Sequence, residues 1–98
     1  MTLQKDPEGY EKKILHKFVD FKNKHVLEIG CGDGRLTWKY ASSSEQVVGI
    51  DIELSDLRFA RIDHPGDSEN KVLLAQASAR YIPFPAKEFD IAILAWSL

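Results

Sequence analysis

The residues best suited to chemistry lie in one nine-residue run, Val26-Leu-Glu-Ile-Gly-Cys-Gly-Asp-Gly34, and at Asp51, 21 positions beyond Gly30. A strand that feeds a glycine-rich turn and then a helix presents backbone N–H groups and a positive dipole end to an anion. Glycine serves such a turn because it accepts positive φ and lets a ligand come close to the backbone. A dinucleotide site uses G-x-G-x-x-G, with the pyrophosphate on the helix N-terminus. Here the spacing is G-x-G-x-G, and Asp33 adds negative charge where a pyrophosphate would lie. Glu28, two residues before Gly30, suits a ligand that carries a cation beside its anion, as an amino acid does. Asp51 closes a second strand, where an acid can accept both hydroxyls of a ribose. Ile52 beside it can pack on one face of a purine.

The elements that must position these residues follow from apolar periodicity. Tyr10, Ile14, Leu15, Phe18 and Val19 recur at helical spacing and predict an amphipathic helix over Glu8–Phe21, with a lysine-rich outer face. Residues 1–7 read as a polar leader. His25–Ile29 is a short strand stopped by the glycine turn, and Arg35 to about Ser42 is helical. Gln46–Ile50 is a second apolar strand ending in Asp51, Leu54–Ile62 is helical, and His64–Ser68 is a loop. Lys71–Gln76 is a third strand and Phe89–Trp96 a fourth, joined by Ala77–Lys87 with Pro83 and Pro85. Apolar strands alternating with helices predict an α/β fold, a parallel sheet covered by helices on both faces.

With these pieces in order, the chain resembles the class I, seven-strand S-adenosylmethionine-dependent methyltransferases of the small-molecule type. VLEIGCGDG (26–34) is similar to their first motif and VVGIDIE (47–53) to their second-strand motif. SARYIPFPAKEFDIAILAWSL (78–98) is similar to the loop and fourth strand that follow. The resemblance implies a Rossmann-like sheet of order 3-2-1-4 and S-adenosyl-L-methionine as cofactor. It implies that the turn of Gly30, Cys31, Gly32 and Gly34 holds the methionine carboxylate, and that Glu28 faces the ammonium through water. Asp51 would bind the ribose and Ile52 flank the adenine. Ser78 stands where the family commonly has an Asp that accepts from the adenine amino group. Ala79 would offer its backbone N–H to the ring, and Ala95 a backbone contact to the methionine part. Family members continue with three more strands, so the reading is a methyltransferase fold truncated after the fourth strand, whose edge stays open.

Composition bounds the rest. The 98 residues carry 13 basic and 15 acidic side chains, a formal charge of −2, with 44% apolar residues, and they predict a single domain. Six Lys against four acids in the first 24 residues is no basic stripe of the kind a nucleic-acid binder shows. The single Cys31 allows no internal disulfide and no multi-cysteine metal site, and it reads as a small packed residue. Trp38 and Tyr40 read as helix-surface packing, and Trp96 as either core or the floor of a substrate cavity. With no signal-peptide pattern and no long apolar run, a reduced cytoplasm is the expected compartment, without a membrane partner. Three functions compete. They are the cofactor-binding part of a methyltransferase with an unidentified small-molecule acceptor, a non-catalytic binding or assembly module acting with a partner chain, and an unusual nicotinamide-binding oxidoreductase. No catalytic base and no metal ligand set can be named. The apolar fourth strand, Ile91–Trp96, has no charge or Pro to blunt its edge and predicts a homodimer or a partner chain there.

Overall fold

A computed structural model describes residues 10–62 and 70–95. Helix α1 (Tyr10–Phe18) leads into strand β1 (His25–Ile29), and the glycine turn leads to helix α2 (Thr37–Tyr40), which ends in a single 3-10 turn, Ala41–Ser43. Strand β2 (Gln46–Asp51), helix α3 (Leu54–Ile62), strand β3 (Val72–Gln76), a 3-10 turn (Ala86–Glu88) and strand β4 (Ile91–Leu94) follow. The four strands form one parallel sheet of order β3-β2-β1-β4, the order that the resemblance implied. The expected leader, the His64–Ser68 loop, Trp96 and Leu98 lie outside the described residues.

Helix α1 ends at Phe18 and strand β4 at Leu94, short of the expected Phe21 and Trp96, and two starts move as well, each for a local reason. Helix α2 starts later than Arg35 because Asp33 Oδ1 accepts from the Arg35 N–H at 3.1 Å, an Asx turn that competes with helix. Strand β4 starts later than Phe89 because Asp90 turns the chain. Its carboxylate accepts from the His25 N–H and its own N–H donates to the His25 carbonyl.

In-register β-branched residues build the first face, with Val47 aligned with Val26 and Val72, and Ile91 with Val26. Phe21, Tyr40 and Ala41 pack on them, together with Leu15, Val19, Leu36 and Trp38. Helix α3 buries Leu57 and Ala60 and comes against the glycine turn at Gly34, beside Trp38. The opposite face, Leu27, Val48 and Ile50, is covered instead by Ala77, Ile82, Phe84 and Phe89 of the β3–β4 connection.

The expectation of helices on both faces is therefore corrected: among the described residues the helices lie on one. The reason is the handedness of crossovers. The connections β1–β2 and β2–β3 step the same way along the sheet, so right-handedness puts both helices on one side. The β3–β4 connection returns across the sheet and must pass over the other face. Pro83 and Pro85 deny that segment a regular helix, and it covers the face as a loop.

Candidate functional site

The carboxyl ends of the first three strands open into a cleft of about 280 Å³, lined by Ile29, Gly30, Ile50, Asp51, Ile52, Ala77, Ser78 and Ala79. That is near the lower end of the roughly 300–1,000 Å³ typical of small-molecule sites. Five of the residues singled out from sequence line it: Gly30, Asp51, Ile52, Ser78 and Ala79. Apolar side chains form its floor, and the Asp51 carboxylate is its charged group.

That carboxylate is held on both sides. Its Oδ2 accepts from the Gly32 N–H at 2.8 Å and its Oδ1 from the Glu53 N–H at 2.8 Å. A carboxylate offers about four lone-pair positions, so both oxygens keep capacity for a diol. Ile52 stands beside it with 65% of its surface exposed, a large apolar side chain with little protein against it. On the facing loop the Ser78 hydroxyl accepts from the Arg80 N–H at 3.1 Å, and its carbonyl accepts from the Tyr81 N–H. Ala79 sits exposed within that turn.

The glycines divide by purpose. Gly32 has φ +56, and a Cβ built there meets nothing nearer than Asp51 Oδ2 at 3.9 Å, so protein packing does not claim that space. Gly34 has φ +84, and a Cβ there would lie 2.6 Å from Trp38 Nε1 and 3.1 Å from Ala60 Cβ, so packing claims it fully. Cys31 is buried against Gly49, whose added Cβ would come within 2.9 Å of the Cys31 sulfur. Burial first, then the charges of Glu28 and Asp51, push its thiol up to about 12, so it is no nucleophile near neutral pH.

Glu28 does not line the cleft. Its side chain is 0% exposed on the first face of the sheet, under α2, where Thr37 donates to its Oε1 at 2.8 Å and the Tyr40 hydroxyl donates to the same oxygen. Its Oε2 is buried with no hydrogen-bond partner among the described residues. Burial raises its pKa, and the two hydroxyls and the Arg35 charge offset this only in part. Tyr40 is correspondingly raised, by burial and by the Glu28 charge, and stays a phenol. The expectation that Tyr40 packs on a helix surface is corrected: it is fully buried and stacks on Phe21 with ring centroids 4.7 Å apart. Thr37 was not singled out by sequence reasoning. The available signal was the spacing of Thr37 and Tyr40, which puts both hydroxyls on the helix face toward Glu28.

A family model described as a methyltransferase domain matches residues 26–98. The chain belongs to the methyltransferase-domain family. It is 34% identical over 80 residues to a ubiquinone biosynthesis O-methyltransferase of Hydrogenovibrio crunogenus, covering 81% of this chain and 33% of that protein. Its identity to the protein of the same name from Aromatoleum aromaticum is 42% over 69 residues, covering 69% and 29%. Among solved structures, Haemonchus contortus phosphoethanolamine N-methyltransferase 1, in complex with phosphoethanolamine and S-adenosylhomocysteine, superposes with a TM-score of 0.77 at 21% identity, over 92% of this chain and 19% of that one. The chain spans about a third of the length of the curated relatives it matches. The expected family and its methyl donor, S-adenosylmethionine, are thereby borne out.

In this methyltransferase domain the cleft brings together a carboxylate at Asp51, the exposed apolar side chain of Ile52 and the small residues Ala77, Ser78 and Ala79. One expectation about the glycine turn changes. Its N–H groups were expected to face an anion, yet Gly30 and Cys31 donate to the Ile50 carbonyl, Gly34 to the Cys31 carbonyl and Gly32 to Asp51. Helix α2 is one turn long and begins beyond Leu36, so no strong dipole end faces the turn. In this methyltransferase domain the N–H groups of Gly30, Cys31, Gly32 and Gly34 are engaged within the chain, where the expectation had them hold a methionine carboxylate. Glu28 is held beneath α2 by Thr37 and Tyr40, a position that differs from the expected solvent-bridged contact with an ammonium. Ala95 follows β4 with its N–H bonded to the Ile29 carbonyl at 2.8 Å, so only its carbonyl and methyl remain for a ligand.

Proposed function

We propose that this chain is the cofactor-binding part of an S-adenosylmethionine-dependent methyltransferase acting on a small-molecule acceptor. The observation that carries the reading is the convergence of Asp51, Ile52, Ser78 and Ala79 on one cleft at the strand ends, beside the turn at Gly30. Asp51 takes the ribose hydroxyls, Ile52 flanks the adenine, and Ser78 with the Ala79 N–H meets the ring edge. Gly32 lets the ligand approach the backbone, and Ala95 lies toward the methionine part. When bound, the cofactor supplies a methyl group on a sulfonium, which is already activated for in-line displacement. The chain therefore contributes binding, orientation and exclusion of water, the terms that dominate when the reactant needs no activation. Relatives named for ubiquinone biosynthesis support a small organic acceptor.

A second reading is a binding or assembly module that acts with a partner chain. It is favoured by the sheet margins: among the described residues no strand pairs with the outer edge of β4, and Leu94 there is 64% exposed. Association as a dimer through that edge or the adjoining apolar face belongs to the proposal, as does a cytoplasmic setting. Among the described residues no helix is long and apolar enough to cross a membrane.

Calorimetric titration tests the cofactor reading. S-adenosylhomocysteine binds and NAD does not, and Asp51→Ala weakens the binding by roughly 1–3 kcal/mol, the scale of hydrogen bonds to a charged group. Preference for NAD would falsify the reading. Methyl transfer on adding candidate acceptors separates the enzyme from the binding module.

A further inference from the structure

The connection from β2 to α3 carries two of the four residues proposed to meet a nucleoside, Asp51 and Ile52, and it is braced from separate parts of the chain. Gly32 and Glu53 hold the Asp51 carboxylate through their N–H groups. The Ala77 N–H donates to the Asp51 carbonyl at 3.0 Å. Ile52 is held differently. Its side chain is largely exposed, so packing does little to set its position, and its carbonyl accepts from Gln76 Nε2 at 3.0 Å. Gln76 ends β3 directly opposite Asp51 in the register and is itself exposed. An exposed side chain that reaches across to a neighbouring turn gains little from burial. Its effect is to restrict where the Ile52 backbone, and hence the Ile52 side chain, can go.

We infer that Gln76 is a positioning residue for adenosine recognition: by holding the Ile52 carbonyl it fixes the apolar wall against which the purine packs. The inference rests on the reading of the cleft as an adenosine site. Gln76 acts through Ile52, and the restriction is made before the ligand arrives. Preorganisation of this kind raises affinity by removing an ordering cost from binding.

Two variants of the 98-residue chain test it. Gln76→Met keeps the length and removes the donor, whereas Gln76→Lys restores a donor at similar reach. Binding of S-adenosylhomocysteine is measured by calorimetry, the thermal midpoint by circular dichroism, and exchange of the Glu53 amide by NMR without ligand. Gln76→Met weakens binding roughly three- to tenfold, while Gln76→Lys stays within about twofold of the unmodified chain, as expected for loss and return of one hydrogen bond. In the ligand-free protein, Gln76→Met speeds exchange of the Glu53 amide and leaves the thermal midpoint in place. Unchanged binding by Gln76→Met, equal weakening by both variants, or a fall in thermal midpoint that parallels the loss would each overturn the inference. If the unmodified chain fails to bind S-adenosylhomocysteine, the cleft reading falls and this inference with it. If it binds and Gln76→Met binds equally well, only the inference about Gln76 falls.

Discussion

Both hydroxyls that reach the Glu28 carboxyl, those of Thr37 and Tyr40, converge on Oε1, and Oε2 is left in buried surroundings without a donor among the described residues. Folding therefore favours the protonated acid, and its pKa is raised above the ordinary 4.5. The sign for stability follows. The unfolded chain releases this proton first as pH rises, so the group's contribution is fully present below about 4.5 and is lost as pH climbs through the raised folded value. Glu28→Gln, which has no proton to lose, is expected to flatten the decline in urea midpoint on going from acid to neutral pH. A variant curve with the same slope would place the pH dependence on another group. Ser78 offers the second test at this scale. On the proposed reading of the cleft its neutral hydroxyl takes the place of the family's carboxylate at the adenine amino group, so Ser78→Asp is expected to tighten S-adenosylhomocysteine binding by up to about 1 kcal/mol, since a charged acceptor strengthens a hydrogen bond. Loss of binding instead would show that the 78–81 turn meets the ring by another route.

The glycine turn is where two helices and two strand ends meet, and its residues answer to different neighbours. Gly34 lies under Trp38 of α2 and Ala60 of α3, whereas Gly32 faces open space above Asp51. Gly34→Ala combines left-handed strain with overpacking and is expected to cost roughly 2–4 kcal/mol. Gly32→Ala carries only the backbone strain, roughly 1–2 kcal/mol, while placing a methyl group on the ligand side. Equilibrium unfolding in urea separates the two, and a Gly34→Ala cost no larger than that of Gly32→Ala would remove the packing explanation. These elements differ in how openly they were written. Strands β1, β2 and β3 and helix α3 stand within a residue of where their apolar spacing puts them, because a short apolar run between turn residues leaves few alternatives. Helix α2 was overextended at its start, because the Asp33 side chain competes locally with the helical pattern.

At the scale of the molecule, the sheet is covered unequally. Helices pack one face, and the other is closed by a loop that leaves Leu73 and Leu94 substantially exposed at its two margins. Among the described residues the outer edge of β4 is unpaired, and such an edge next to exposed apolar side chains is a template for another chain. Sedimentation at micromolar concentration is expected to show a dimer. Leu94→Lys, at an exposed position aligned with Ile29, is expected to shift it toward monomer without unfolding the sheet. A stable monomer of the unmodified chain would show that the edge is covered from within.

The residues by themselves determined the order of strands and helices, the place of the glycine turn, and the pairing of Asp51 with Ile52 at a strand end. Each of these is a local property: apolar runs of defined length, glycines at fixed spacing, an acid directly after a strand. Tertiary structure alone decided which face the helices cover, since that depends on the direction in which successive strands are laid down and on the handedness of the connections. It also decided the surroundings of Glu28. Spacing placed an acid near the turn, but side chains alternate across a strand, and only the packing of α2 on the sheet shows that Glu28 points to Thr37 and Tyr40 beneath that helix. The N–H groups of the turn were settled in the same way, because the Ile50 carbonyl that binds two of them belongs to a strand brought alongside only by folding.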